Sequence, residues 1–191
     1  MGLIYNFKKM NFQVVTNEFE GLKIITPKLF KDNRGYFFET YKSSSFKEMG
    51  VDECSIQTNQ SFSHQNVVRG LHFQSGKNAQ AKLVRCLKGE IYDVAVDLRK
   101  SSPTFGKFFG INLSHDNNNM LYIPVGFAHG FSVLSAEAEV SYNVSAEWDR
   151  DAEGGIRFDD PDLKIDWKIS DPIVSDKDKI LPFLKDLESP F

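Results

Sequence analysis

The chain has 191 residues, 41% hydrophobic and 26% charged, with a net charge of −3, enough for one well-buried domain and short for two. The mildly negative balance excludes nonspecific nucleic-acid binding as the main task, so an anionic ligand would have to be met by a local cationic pocket. No apolar run approaches membrane-spanning length and residues 1–10 lack a signal-peptide core, so a soluble, cytoplasmic protein is expected.

Residues 1–13 are polar and irregular and read as a loosely held extension of a single domain. Residues 22–30 read as strand, with Pro27 demoting the end to an edge or turn. A turn at 32–35 leads into a strongly β run at 36–41. Residues 43–50 predict a short helix: a serine-rich start, Phe46 and Met49 three apart, and a glycine stop. Strand signals then recur at 55–62, 67–74, 82–87, 90–98, 104–113, 120–123, 131–134 and 138–148, and Lys88-Gly89 joins two of them as a hairpin. With 17 phenylalanines and few Leu/Ala/Glu/Lys runs, the pattern predicts a mostly β protein, a sandwich or jelly roll. The C-terminal residues change to Asp-Pro turns, Trp167 and a short helix from about Asp176. Cys54 and Cys86 lack metal-type spacing and read as reduced thiols.

The chemistry concentrates in Arg69-Gly-Leu-His-Phe-Gln74 and in Lys82 just beyond it. A histidine flanked by cations on strand-like runs suits proton abstraction from an anionic substrate whose enolate needs stabilising. In a regular strand Arg69 and His72 face opposite sides, but a glycine within a strand often marks a bulge that re-aims its neighbours, and Gly70 lies between them. His129, in Pro124-Val-Gly-Phe-Ala-His-Gly130, reads as a residue of a glycine-flanked turn between two strands. His64 and His115 sit in polar contexts and read as solvent-exposed. On spacing alone Tyr142, between Val140 and Val144, is core, and Asp178, three residues after Ser175, is part of a helix capping box.

The β pattern with Pro-x-Gly-x-x-His resembles the cupin superfamily, whose fold is a double-stranded β-helix or jelly roll. The metal set usual there is incomplete, because Phe73 and Gln74 follow His72 where a second imidazole is needed, and no metal is expected. A tighter resemblance rests on an ordered set of motifs from about Phe30 to Asp178. They are Asp32-Asn-Arg-Gly-Tyr-Phe-Phe-Glu39, the Arg69–Gln74 run, Lys82-Leu-Val-Arg-Cys, and Gly89-Glu-Ile-Tyr-Asp-Val-Ala-Val-Asp-Leu-Arg99. Ser101-Ser-Pro-Thr-Phe-Gly106, Ile123-Pro-Val-Gly-Phe-Ala-His-Gly-Phe131 and Pro172-Ile-Val-Ser-Asp-Lys-Asp178 complete it. On these the chain resembles the dTDP-4-dehydrorhamnose 3,5-epimerase family.

The resemblance implies a cofactor-independent isomerase that inverts C3 and C5 of a dTDP-4-keto-6-deoxy sugar on the way to dTDP-L-rhamnose, for cell-surface polysaccharide. It implies His72 as base, Asp178 as its dyad partner, Lys82 at the oxyanion and Tyr142 as acid on the opposite face. It further implies that Arg34, Glu39, Gln57, Asn59, Arg69, His129, Trp148, Glu153 and Lys177 meet the substrate, and that the protein is a homodimer with exchanged N-terminal segments. The chain departs from the family pattern in Phe73 and Trp148, where tyrosine is usual, and in Thr58, where aspartate is usual. A mono-epimerase acting at C3 and a catalytically silent sugar-binding cupin are the competing readings.

Overall fold

The structure, a computed structural model, describes residues 4–5, 11–51 and 54–191. In chain order the strands begin with β1 (Ile4–Tyr5), β2 (Phe12–Thr16), β3 (Lys23–Pro27), β4 (Phe30–Asp32) and β5 (Gly35–Phe37). After the short helix α1 (Ser43–Glu48) come β6 (Gln57–His64), β7 (Val67–Gln74), β8 (Lys82–Lys88) and β9 (Glu90–Asp97). They continue as β10 (Phe108–Ser114), β11 (Met120–Ile123), β12 (Phe127–Val133), β13 (Glu137–Val144), β14 (Glu153–Gly155) and β15 (Ile173–Val174), followed by α2 (Asp176–Lys179).

Two sheets face one another in a jelly-roll arrangement. The larger runs β1-β2-β3-β11-β8-β13-β6, and the smaller runs β10-β9-β12-β7-β14 with β15 added in parallel to β7. Between them lies a core of Val84, Leu121 and Val140 from one sheet against Ile91, Phe127 and Phe131 from the other. The outer faces are covered too. Phe46 and Met49 of the α1 region pack on Phe12, Ile25 and Leu83 of the larger sheet, while Ile156, Leu163 and Trp167 close over Leu71, Val94 and Val96 of the smaller. Strand β12, and β9 from Asp93 onward, are therefore buried on both faces, and the polar residues they carry, Asp93, Asp97, His129 and Ser132, are buried with them. Strand β6, at the sheet edge, keeps the alternation of a half-exposed strand.

Several expectations need correction. The extension read over 1–13 ends in strand: Phe12 and Gln13 open β2, and Phe12 is buried against Phe46; residues 1–3 and 6–10 lie outside the described residues. The β run at 36–41 stops at Phe37, because Phe38 turns under the Arg85 guanidinium and Tyr41 packs on Phe46. His129 is not in a turn. Gly126, at φ +97, makes that turn, and His129 sits in the middle of β12. Strands β14 and β15 had no clear signal, being short and paired with distant residues of β7, and β2 went unread because it begins inside the expected extension.

Candidate active site

Side chains from both sheets converge on a cavity of about 470 Å³. The smaller sheet contributes Arg69 and His72 from β7 and His129 from β12; the larger contributes Lys82 from β8, Tyr142 from β13 and Ser61 from β6. The segment 173–178, pinned by the pairs Ile173–Val67 and Val174–Val68, supplies Lys177 and Asp178 as a third wall.

Gly70 produces the re-aiming that the sequence suggests. It adopts φ +120, and the ladder to β12 shifts register between His129 and Phe131. The two backbones come so close there that a Cβ on Gly70 would lie 2.5 Å from the Gly130 Cα. This irregularity lets Arg69 and His72 both line the cavity.

His72 Nε2 donates to Asp178 Oδ1 at 2.7 Å, and the other carboxylate oxygen accepts the Gly70 N–H at 3.2 Å. Ser175 does cap α2, accepting the Asp178 N–H at 3.1 Å. The Asp178 carboxylate, however, also reaches His72, so the cap is not its whole purpose. Burial works to raise this carboxyl, but the hydrogen bonds from His72, Gly70 and Ser175 outweigh it and hold it below its ordinary range. The imidazole is thus oriented by a buried anion, leaving Nδ1 available.

Lys82 is 8% exposed and donates to the His72 carbonyl at 3.3 Å. Burial pulls its ammonium down to about 8, against the opposing attraction of Asp93 and Glu153. Tyr142 faces His72 from the opposite sheet. Burial foremost raises its phenol, so at neutral pH it is a proton donor. His129 donates Nε2–H to Asp93 Oδ1 at 2.8 Å; burial lowers the imidazole more than Asp93 raises it, and it stays neutral.

The remaining expected residues fall into four groups. Arg69 lines the cavity, held by bonds from its guanidinium to Ser63 Oγ and the Phe62 carbonyl. Lys177 pairs with Glu153 at 2.7 Å beside a smaller cavity that also touches His72. Gln57 and Asn59 sit on β6; Gln57 donates to Asn59 Oδ1 and accepts the Trp148 N–H, which leaves the Trp148 ring 57% exposed at that end. Arg34 and Glu39 are not brought to this cavity. Arg34 is on the β4–β5 hairpin, paired with Asp32 and 86% exposed, and Glu39 holds Asn11.

Sequence reasoning missed Asp93 and Ser61. The signal for Asp93 was available: an acidic residue inside the buried run Val94-Ala95-Val96 demands a partner. Ser61 gives none, since a serine on an edge strand is ordinary; in the structure its hydroxyl is buried in the cavity wall with no hydrogen-bond partner among the described residues. Among the described residues no group of three or more His, Cys, Asp or Glu side chains could hold a metal ion, and no helix is long and apolar enough to cross a membrane.

The dTDP-4-dehydrorhamnose 3,5-epimerase family model matches residues 16–186. A dTDP-4-dehydrorhamnose 3,5-epimerase of Salmonella typhimurium is 47% identical over 173 residues, 90% of this chain and 94% of that one. The crystal structure of an enzyme of that name from Elizabethkingia anophelis superposes with a TM-score of 0.88 at 47% identity, covering 92% of this chain and 98% of the other. A dTDP-6-deoxy-D-glucose-3,5-epimerase from Legionella pneumophila, solved with dTDP-4-keto-L-rhamnose, gives a TM-score of 0.85 at 39% identity over 98% of this chain and 95% of its own.

Proposed function

The chain belongs to the dTDP-4-dehydrorhamnose 3,5-epimerase family, and from that premise we propose how its residues invert C3 and C5 of dTDP-4-dehydro-6-deoxy-D-glucose to give dTDP-4-dehydro-L-rhamnose. Both carbons flank the C4 ketone, so removal of either proton leaves an enolate with its charge on O4. His72, through Nδ1, takes the proton. Asp178 stabilises the imidazolium that forms and fixes the ring, a positioned base of this kind contributing roughly 10²–10⁴-fold. The Lys82 ammonium neutralises O4 from a seat where little water screens it.

Inversion requires the new proton to arrive on the other face of the sugar. The single observation that carries the reading is that His72 and Tyr142 line one cavity from opposite sheets. A sugar ring between them meets a base on one side and a protonated phenol on the other. A mere sugar-binding site has no need of an opposed acid and base.

Arg69 and Lys177 supply charge for the diphosphate, since guanidinium and ammonium donors suit its oxygens. Gln57 and Asn59 offer amides to the nucleoside, and the exposed Trp148 ring offers a face for thymine. Glu153 and His129 complete the polar lining. Arg34 and Glu39 serve the site of a second subunit in a homodimer with exchanged N-terminal segments. The chain works as a single domain and in the cytoplasm, where the buried thiols Cys54 and Cys86 stay reduced.

Proton NMR of the 4-keto substrate in D₂O tests the reading. Deuterium should enter at both C3 and C5. Entry at C3 alone would make the protein a mono-epimerase, and entry at neither would make it a binding protein.

A further inference from the structure

Asp93 lies on β9 between Ile91 and Ala95, on the face that otherwise builds the apolar core between the sheets. It is 0% exposed, and a carboxylate in such a place persists only with fixed partners. Oδ1 accepts the His129 Nε2–H, while Oδ2 is buried with no hydrogen-bond partner among the described residues. Asp97, four residues along the same strand, shows what a purely structural carboxylate does here: both its oxygens are taken, by Arg99, Ser102 and Thr104.

We propose that Asp93 is a positioning residue for epimerisation: its carboxylate fixes His129 as the tautomer that presents Nδ1 to the cavity as an acceptor, and its charge keeps Lys82 an ammonium. The assignment rests on the reading above, in which Lys82 meets O4. The tautomer follows from the hydrogen bond, because an Nε2–H committed to Asp93 leaves a lone pair on Nδ1. His129 lines the cavity, and its Nδ1 makes no protein hydrogen bond among the described residues. It can therefore accept from a sugar hydroxyl but cannot protonate the enolate. That matters because His129 is registered against His72 on the same sheet. A proton delivered from that side would return the carbon to its starting configuration.

The second half follows from the charges around Lys82. It is faced by Arg69 and His72 from β7, Asp93 from β9, His129 from β12 and Tyr142 from β13, with Glu153 on β14 and Lys177 and Asp178 beyond. Three of these are carboxylates. Asp178 is bound by His72 and the Gly70 N–H, and Glu153 is paired with Lys177. Among these described carboxylates Asp93 is the one with a buried oxygen that has no hydrogen-bond partner, and it is fully buried beside the nearly buried Lys82, so its attraction is the least screened. The Cys86 thiol, which also feels Asp93, is held near 11 and adds no charge at neutral pH.

Asp93→Asn keeps the shape and removes the charge. The rate of deuterium entry is followed against pH at saturating substrate. The wild-type rate should fall as pH rises through about 8, where Lys82 loses its proton. In the variant that limb should move about one pH unit or more toward acid. The rate would then drop about five-fold or more further at pH 8 than at pH 6, a split that a merely structural role does not produce. An unmoved limb in a folded variant overturns the assignment. Should the variant not fold, ¹⁵N chemical shifts of His129 in the wild-type protein at pH 7 decide: a neutral ring protonated at Nε2 supports the proposal, and an Nδ1–H ring or an imidazolium overturns it. A wild-type protein that exchanges neither carbon would defeat the functional reading itself. Exchange in the wild type beside an unmoved limb in Asp93→Asn would defeat only this inference.

Discussion

Two imidazoles in one cavity are each tied through Nε2 to a buried carboxylate, yet their settings differ in a way that separates their tasks. The His72 side chain is 29% exposed and opens to the cavity, whereas that of His129 is 7% exposed. Burial therefore penalises an imidazolium at His129. His72→Ala should leave the fold intact and lower deuterium entry at both C3 and C5 by about 10²-fold or more; near-normal exchange would remove His72 from the role of base. Tyr142→Phe retains the ring and its packing and lacks only the hydroxyl. Exchange should continue in that variant while the doubly inverted sugar fails to accumulate, measured as exchange and product stereochemistry on one sample. If Tyr142 were only core, stability would drop modestly and the product ratio would stay unchanged.

At the scale of elements, the site depends on the kink in β7. Gly70→Ala forces a Cβ into a backbone at φ +120 and to within 2.5 Å of the Gly130 Cα. The strands must part or the kink must flatten, and either turns His72 away from Asp178. Activity should fall by at least about ten-fold together with the melting temperature; a variant of wild-type activity would show that the kink is dispensable. Asp97 governs a different element, the loop after β9. Burial raises its carboxyl, but bonds from Arg99, Ser102 and Thr104 overcome this and leave it at about 2, below the ordinary 3.8. A group depressed on folding stabilises above its unfolded value and ceases to do so as pH falls through the folded one. Asp97→Asn should thus melt lower than wild type at pH 7, with the gap closing between about pH 4 and pH 2; a gap independent of pH would show that shape and not charge is at stake.

Much of this was legible in the chain. Strands β6 to β13 announce themselves by alternation, by β-branched residues and by glycine punctuation, and the helix at Ser43 by its serines and its Phe46–Met49 spacing. Gly70 could be read as a bulge because glycine inside a strand has few other uses. Tyr142 and Asp178 could not be assigned from local pattern. One looks like core and the other like a helix cap, and Asp178 is in fact also capped by Ser175. They come together at one cavity only where β13, β7 and α2 meet. The position of His129 was misjudged because two glycines flank its motif and only Gly126 makes the turn.

At the scale of the whole molecule, the β4–β5 hairpin carries Phe30, Tyr36 and Phe37, which are 42%, 56% and 67% exposed. Aromatic side chains so exposed beside Arg34 suit an arm that docks on a second copy. If that arm completes the neighbour's site, chains carrying Arg34→Ala and chains carrying His72→Ala should each be weak alone and recover activity when mixed and refolded, since one site in each hybrid has both residues. No recovery, or a monomer by light scattering at micromolar concentration, would show that each chain serves itself. The link from His72 to Asp178 spans 106 positions of sequence. Its two halves therefore leave the ribosome far apart in time. The strands of both sheets from β8 to β14 lie between them in the chain. The two sheets can therefore pair around the cavity before the Asp178 carboxylate arrives to fix the His72 ring.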